Sequence, residues 1–175
     1  MINIEKLKQS IRDVPDFPKP GILFKDITTA LKDPEIFTFI CESISNKFAN
    51  KGITKVAGIE SRGFIAGGCI ANNLNAGFIP IRKPGKLPSE IFSQSYELEY
   101  GTDTLEVHKD AFSSDDVVLI HDDLLATGGT AEASIALLKQ FGVSKIYTSF
   151  IIELDFLKGS ERLKNQSELF SLIKF

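Results

Sequence analysis

Val117-Val118-Leu119-Ile120-His121-Asp122-Asp123-Leu124-Leu125-Ala126-Thr127-Gly128-Gly129-Thr130 is the stretch on which the fold turns. It opens on a near-continuous apolar run, the pattern of a strand buried on both faces. Paired acids and a small-residue turn follow, and from Thr130 to Phe141 the apolar side chains Ile135, Leu138 and Phe141 fall on one face of a helix. A strand that passes through a glycine turn into a helix is half of a βαβ unit.

Working outward, the other half repeats the pattern. Lys55-Val56-Ala57-Gly58-Ile59 reads as a short buried strand, Phe64 to Leu74 as a small-residue helix and Gly77 to Ile81 as another strand, while Lys145 to Ile152 supplies one more after the central motif. Asp33-Pro34-Glu35 is an N-cap, a first-turn proline and a first-turn acid ahead of Phe37, Ile40, Cys41, Ile44 and Phe48, so a helix runs from there to near Gly52. Strands alternating with helices imply a single α/β domain over residues 1–175 with a mostly parallel central sheet flanked by helices on both faces, and ligands bind such sheets at the carboxyl ends of the strands.

Two segments depart from the alternation. After a short helix marked by Ile4, Leu7 and Ile11, residues up to 32 are punctuated by Pro15, Pro18, Pro20 and Gly21 and read as an ordered loop. Residues 82–110 are rich in charge, Pro, Gly and Ser, with weak alternation at Tyr96–Tyr100 and Leu105–Val107, the pattern of a β-hairpin lid.

Composition excludes several classes of function. The formal charge of −3 argues against nucleic acid or an anionic membrane as the main partner. No apolar run reaches the length of a bilayer span, and the first residues lack the apolar core of a signal peptide. The two cysteines, Cys41 and Cys69, have no second Cys or His at metal-ligand spacing and read as buried reduced thiols, which points to the cytoplasm.

The chemistry concentrates in the opening stretch. Gly128 and Gly129 let backbone approach a ligand, Ala126 adds no bulk, Thr127 and Thr130 offer hydroxyls, and the free N–H groups of a helix start favour a phosphate. Asp122 and Asp123 are placed to accept hydrogen bonds from the vicinal hydroxyls of a ribose or to approach a hydrated magnesium ion. Phosphate and diol together describe ribose 5-phosphate. Taken alone, the turn reads equally well as a helix cap with solvated acids beside it.

The complete order of apolar strand, acid pair, leucines, Ala-Thr-Gly-Gly-Thr and helix resembles the phosphoribosyl pyrophosphate (PRPP) motif of type I phosphoribosyltransferases. Further stretches, Pro15–Thr28, Gly58–Phe64, Arg82–Pro88 and Glu153–Gly159, resemble the adenine-specific branch of that family along essentially the whole sequence. The resemblance implies AMP and pyrophosphate as products of adenine and PRPP in purine salvage, Mg2+ as cofactor and a homodimer as the assembly. It places the backbone of Leu23 and Lys25 on the adenine edge, with Phe24 and Leu154 sandwiching the ring, so that residues 1–32 form a base-binding segment. It places pyrophosphate against Glu60, Ser61 and Arg62, with a cis peptide at Glu60-Ser61, and against Arg82, Lys83 and Lys86. Glu99 is implied as the proton-transfer group carried by the lid and Tyr100 as a group that closes the site. Mg2+ is implied to be held mainly through PRPP and water, with Asp122 and Asp123 in reach.

Some residues depart from the pattern. Lys25 stands where arginine is common, His121 where an apolar residue usually precedes the acids, and Ser89 where Gly or Ala is common. His121 reads as a hydrogen-bonded strand residue or as a group that tunes Asp122. A transferase for an oxopurine, or a ligand sensor without turnover, shares the PRPP motif; the base-side segments favour adenine over the first, and the lid motif opposes the second.

Overall fold

The structure is a computed structural model that describes residues 2–97, 101–143 and 145–175. Its centre is a parallel sheet of β3 (Lys55–Ile59), β4 (Gly77–Ile81), β7 (Val117–Leu125), β8 (Lys145–Glu153) and β9 (Glu168–Lys174) in the order β4-β3-β7-β8-β9. The helices α3 (Pro34–Phe48), α4 (Gly63–Asn73) and α5 (Gly129–Lys139) connect or cover these strands. As the cap pattern predicts, the Asp33 side chain accepts from the Glu35 and Ile36 amides at the start of α3; the helix ends at Phe48, a few residues before Gly52.

Alternation along the strands divides the core in two. Val56 and Leu119 face α3 and α4, packing with Ile40, Ile44, Phe48, Ala66 and Ile70, whereas Ala57, Val118 and Ile120 face α5 and its residues Ile135, Leu137 and Leu138. Burial on both faces is why these strands read as unbroken apolar runs instead of alternating ones. Cys41 is buried as expected, but Cys69 on α4 is only half-buried.

Two small antiparallel ribbons stand beside the sheet. After α1 (Ile4–Ser10), β1 (Arg12–Pro15) pairs with β2 (Leu23–Asp26), and α2 (Thr28–Leu31) leads on to α3. The sequence reading of this segment as a loop is corrected here: strands this short, mostly exposed and set among prolines carry no alternation to read. The second ribbon, β5 (Ile91–Glu97) with β6 (Thr102–His108), is the expected hairpin. Its base is part of the core, with Leu105 and Val107 buried and the Phe92 ring edge-on to Phe141 at 4.9 Å.

The outer edge of β4 has a definite register. The Gly77 amide and Ile81 carbonyl bond inward to Thr54 and Glu60, so Phe78 and Pro80 direct their backbone outward. Arg82 then exchanges both backbone hydrogen bonds with Glu106 of β6, tying the hairpin to this edge. On the far side of the sheet, α6 (Gly159–Leu163) precedes β9, an extra parallel strand that the sequence analysis did not assign.

Candidate active site

The acid pair and the glycine turn meet at the carboxyl end of β7. The strand runs past Asp122 and Asp123 to Leu125, further than the apolar run alone suggested, because Leu124 pairs with Ile152 and Leu125 with Glu153 of β8. Asp123 is almost wholly buried and takes an ion pair from the Arg62 guanidinium. Asp122 has its carboxyl pushed well above the usual carboxylate range, first by loss of water and then by the charge of Asp123.

Beyond the strand, Ala126, Thr127, Gly128, Gly129 and Thr130 line a cavity of about 80 Å³ together with Asp122, Leu124, Leu125, Ala131 and Phe150. Gly128 sits at φ +83°, and a Cβ there would lie 2.8 Å from the Gly159 carbonyl oxygen. Gly159 is equally constrained, since a Cβ on it would run into the Ala126 carbonyl and lie 3.1 Å from the Gly128 amide nitrogen. The turn is thus formed by two backbones in contact, and glycine is required on both sides. Gly159 had no role in the sequence reading; its position after Lys158, itself left-handed at φ 54°, becomes telling only once the chains are seen to meet.

On the neighbouring strand end, the Glu60-Ser61 peptide is cis, as the resemblance implied. Arg62 occupies the N-cap position of α4 without a side-chain capping bond, and Gly63 packs so tightly that a Cβ would lie 2.7 Å from the His121 carbonyl. The Arg62 guanidinium also lies over the Phe24 ring at 5.6 Å, so one side chain touches both the buried acid and the β1–β2 ribbon. Burial disfavours its charge, but the bond to Asp123 and the Coulomb attraction of the acids outweigh that and raise its pKa.

A separate cleft of about 370 Å³ opens between Val14, Phe17, Phe24, Asp26, Ile27, Thr28 and Arg62. Phe17 meets Phe24 edge-on at 5.2 Å. Asp26 pins the ribbon to α2 by accepting from the Thr28 amide at 2.9 Å and hydroxyl at 2.7 Å, and it pairs with Arg12; that bond first, and those from Thr28 next, bring its pKa down to about 2. Lys25 turns away to Asp13 at 2.6 Å. Leu23 is exposed and Leu154 is buried; neither lines this cleft.

Of the predicted pyrophosphate cations, Arg62, Arg82 and Lys83 are already paired with carboxylates. Glu60 accepts from the Lys83 amide at 2.8 Å and from Arg82 Nε at 2.9 Å, and these bonds, the amide's first, lower its pKa. The Lys83 ammonium pairs with Asp103 and reaches the Tyr96 hydroxyl at 3.1 Å. Tyr96 in turn accepts from the Thr130 hydroxyl at 3.3 Å, which joins the hairpin to the glycine turn. Lys86 is exposed nearby. Sequence reasoning passed over Asp103 and Tyr96, whose importance depends on which cation the hairpin brings to them. Glu99 and Tyr100 lie outside the described residues, between β5 and β6.

His121 is fully buried with Nδ1 3.0 Å from the Ser149 hydroxyl, and burial pushes its pKa down to about 4. It is therefore neutral near pH 7, as a hydrogen-bonded strand residue should be. Among the described residues no group of three or more His, Cys, Asp or Glu side chains is placed to hold a metal ion, and no helix is long and apolar enough to cross a membrane.

These features have close counterparts. The phosphoribosyl transferase domain family matches residues 28–173. An adenine phosphoribosyltransferase from Bacteroides thetaiotaomicron is 54% identical over 169 residues, covering 97% of this chain and 96% of its own. Among solved structures, adenine phosphoribosyltransferase from Rhodothermus marinus superposes with a TM-score of 0.93 at 52% identity, covering 98% of each chain. The Giardia lamblia enzyme complexed with 9-deazaadenine superposes with a TM-score of 0.96 at 40% identity, covering 100% of this chain and 99% of its own. The parallel sheet, the double-glycine turn after β7 and full-length identity above half agree, and the chain belongs to the adenine phosphoribosyltransferases.

Proposed function

We propose that this chain transfers the ribose 5-phosphate of PRPP to adenine, releasing pyrophosphate and forming AMP in purine salvage. The observation that carries the reading is the continuity from the phosphate turn at Gly128, through Asp122 and Asp123, to Arg62 and the Phe24 cleft. That path has the order of the product itself: phosphate, ribose, base.

In this reading the amides of Gly128, Gly129 and Thr130 and the Thr127 and Thr130 hydroxyls receive the 5′-phosphate. Asp122 and Asp123 face the ribose, whose anomeric carbon gains positive charge as the leaving bond lengthens; the ion-paired Asp123 supplies fixed negative charge, and the growing positive charge favours the ionised form of Asp122 against the burial that raises its pKa. Arg62, Lys83, Arg82 and Lys86 spread the charge of the departing pyrophosphate, assisted by the Glu60-Ser61 loop. To do so Arg62 and Lys83 exchange their present carboxylate partners for the substrate.

Adenine takes the space between Phe24 and Leu154 with its edge against the Leu23 and Lys25 backbones. Its ring replaces the Arg62 guanidinium over Phe24. Glu99 manages the proton on the attacking ring, and Tyr100 helps to exclude water. The acid pair, with one member already engaged by Arg62, suits an ion that brings most of its ligands from PRPP and water, and Mg2+ bound in that way supplies charge neutralisation for the leaving group. The assembly is a homodimer, contacting through helices on one face of the sheet.

The test mixes purified protein with magnesium, PRPP and, separately, adenine, hypoxanthine, guanine or xanthine, and quantifies nucleotide and pyrophosphate. AMP with matching pyrophosphate from adenine alone is the expected result. Product from an oxopurine overturns the base assignment, and PRPP binding without product from any base overturns the reaction. Glu99→Gln should lower kcat by about a hundredfold with a smaller change in KM; undiminished turnover removes Glu99 from the mechanism.

A further inference from the structure

Both walls of the proposed adenine site are fastened to one short stretch, Lys174 and Phe175. On the Leu154 side, the Phe175 amide donates to the Glu153 carbonyl at 2.9 Å, and the Phe175 carbonyl accepts from the Asp155 amide at 2.9 Å. These bonds bracket Leu154 in the chain. Side chains repeat the bracket: the Lys174 ammonium lies 3.1 Å from Glu153 Oε1 and 3.0 Å from Asp155 Oδ1. The Glu153 side chain has no exposed surface, and a buried carboxylate stays charged only when polar groups compensate its lost water. Burial pulls its pKa up, but the polar groups around it, nearby Ser171 and Ser160 and the Lys174 ammonium bonded to Oε1, outweigh this and hold it below the usual range, while Oε2 has no hydrogen-bond partner among the described residues. Leu154 therefore has a fixed residue on each side.

The Phe175 ring faces the other wall. The Lys25 ammonium stands 4.1 Å from its centroid, and Lys8 of α1 approaches the same ring at 5.9 Å. Lys25 is the register partner of Asp13 across the β1–β2 ribbon and is ion-paired with it. Its side chain retains only 12% of its exposure, a setting in which a cation over an aromatic face is worth more than in open water. Phe24, which precedes Lys25, points instead into the base cleft.

We propose that Phe175 is a positioning residue for the base: anchored to Glu153 and Asp155 and gripped by Lys25, it sets the separation between the Phe24 wall and the Leu154 wall and thereby the affinity for adenine. The idea rests on the reading that adenine lies between Phe24 and Leu154. It gives Lys25 a side-chain role beyond its backbone contact. A ring that only filled space would affect folding and both substrates together; a spacer affects the base alone.

The experiment compares Phe175→Ala, Phe175→Tyr and Leu154→Ala in the full-length protein, measuring KM for adenine, KM for PRPP, kcat and the thermal midpoint. Phe175→Ala is expected to raise KM for adenine about tenfold and leave KM for PRPP within about twofold, while Phe175→Tyr, which keeps the ring face, restores the adenine value. An unchanged KM for adenine in Phe175→Ala overturns the proposal, as does a parallel rise for both substrates that Tyr does not rescue. If Leu154→Ala leaves KM for adenine unchanged, the sandwich itself is wrong. The tie to the ribbon is then judged by amide exchange at Phe24 and Lys25, which must quicken in Phe175→Ala for it to stand. Should Phe175→Ala not fold, Lys25→Gln removes the cation and keeps the ring; it should raise KM for adenine alone, and no rise overturns the proposal.

Discussion

The glycine turn after β7 and the β1–β2 ribbon are held in place by different physics. Ala126–Thr130 continues a central strand, is backed by Gly159 and is joined to β8 by the Leu154 amide on the Leu125 carbonyl; its shape is backbone against backbone. The β1–β2 ribbon lies outside the sheet and is steadied by side chains: Arg12 on Asp26, Lys25 on Asp13, Phe17 on Phe24. Phe17 keeps 51% of its exposure and Leu23 48%. In the proposed reading, the phosphate shared by all PRPP-dependent reactions meets the part built from backbone, while the part that distinguishes one base from another is built from side-chain contacts that can be changed singly.

The largest effect that can break this comparison is at Gly128. Gly128→Ala forces a Cβ onto the Gly159 carbonyl at a left-handed φ, so kcat/KM for PRPP should fall by about a hundredfold or more. Near-normal PRPP affinity by calorimetry would show the turn to be as adaptable as the ribbon. Arg62 belongs to both regions, and Arg62→Ala should raise KM for PRPP and for adenine, each by about tenfold. A rise for one substrate only would assign it to that side.

Phe24→Ala confines the damage to the ribbon: KM for adenine should rise about tenfold, with KM for PRPP within about twofold. If the PRPP constant moves equally, the two regions are not separable. The smallest effect is at Asp26, where Asp26→Asn should cost about 1 kcal/mol at neutral pH, little because Arg12 is largely exposed. The Asp26 pKa is lowered from 3.8 to about 2, so its stabilisation is present above the higher value and is lost as pH falls through the lower one. Urea denaturation curves of the two proteins should therefore converge as pH falls from 4 toward 2.

The same contrast decides what could be read from the sequence. The central strands, α3 with its Asp33 cap and the glycine turn announce themselves because their causes lie within a few residues: two-sided burial, a capping side chain, an open helix start. The cis Glu60-Ser61 peptide came from family likeness and not from any local signal. The β1–β2 ribbon and β9 were missed, since four-residue strands among prolines and a strand completed by its neighbour carry no period of their own. Asp103, Tyr96 and Gly159 escaped for a related reason. Asp103 and Tyr96 matter because the hairpin folds back on Lys83, and Gly159 because its backbone fits against Gly128; both facts join segments far apart in the chain.

Pro80 has a consequence for the protein's behaviour in a crowded solution. An open sheet edge is a template on which another chain can add a strand, and growth of that kind leads to aggregation. On β4 the outward-facing backbone belongs to Phe78 and Pro80, and beyond them Arg82 is already taken by Glu106. Proline offers no N–H, so an incoming strand would find a donor missing at the centre of the edge and the next position occupied. The pyrrolidine ring at Pro80 and the root of the hairpin close this side of the sheet, so that pairing stops there and does not propagate into a fibre.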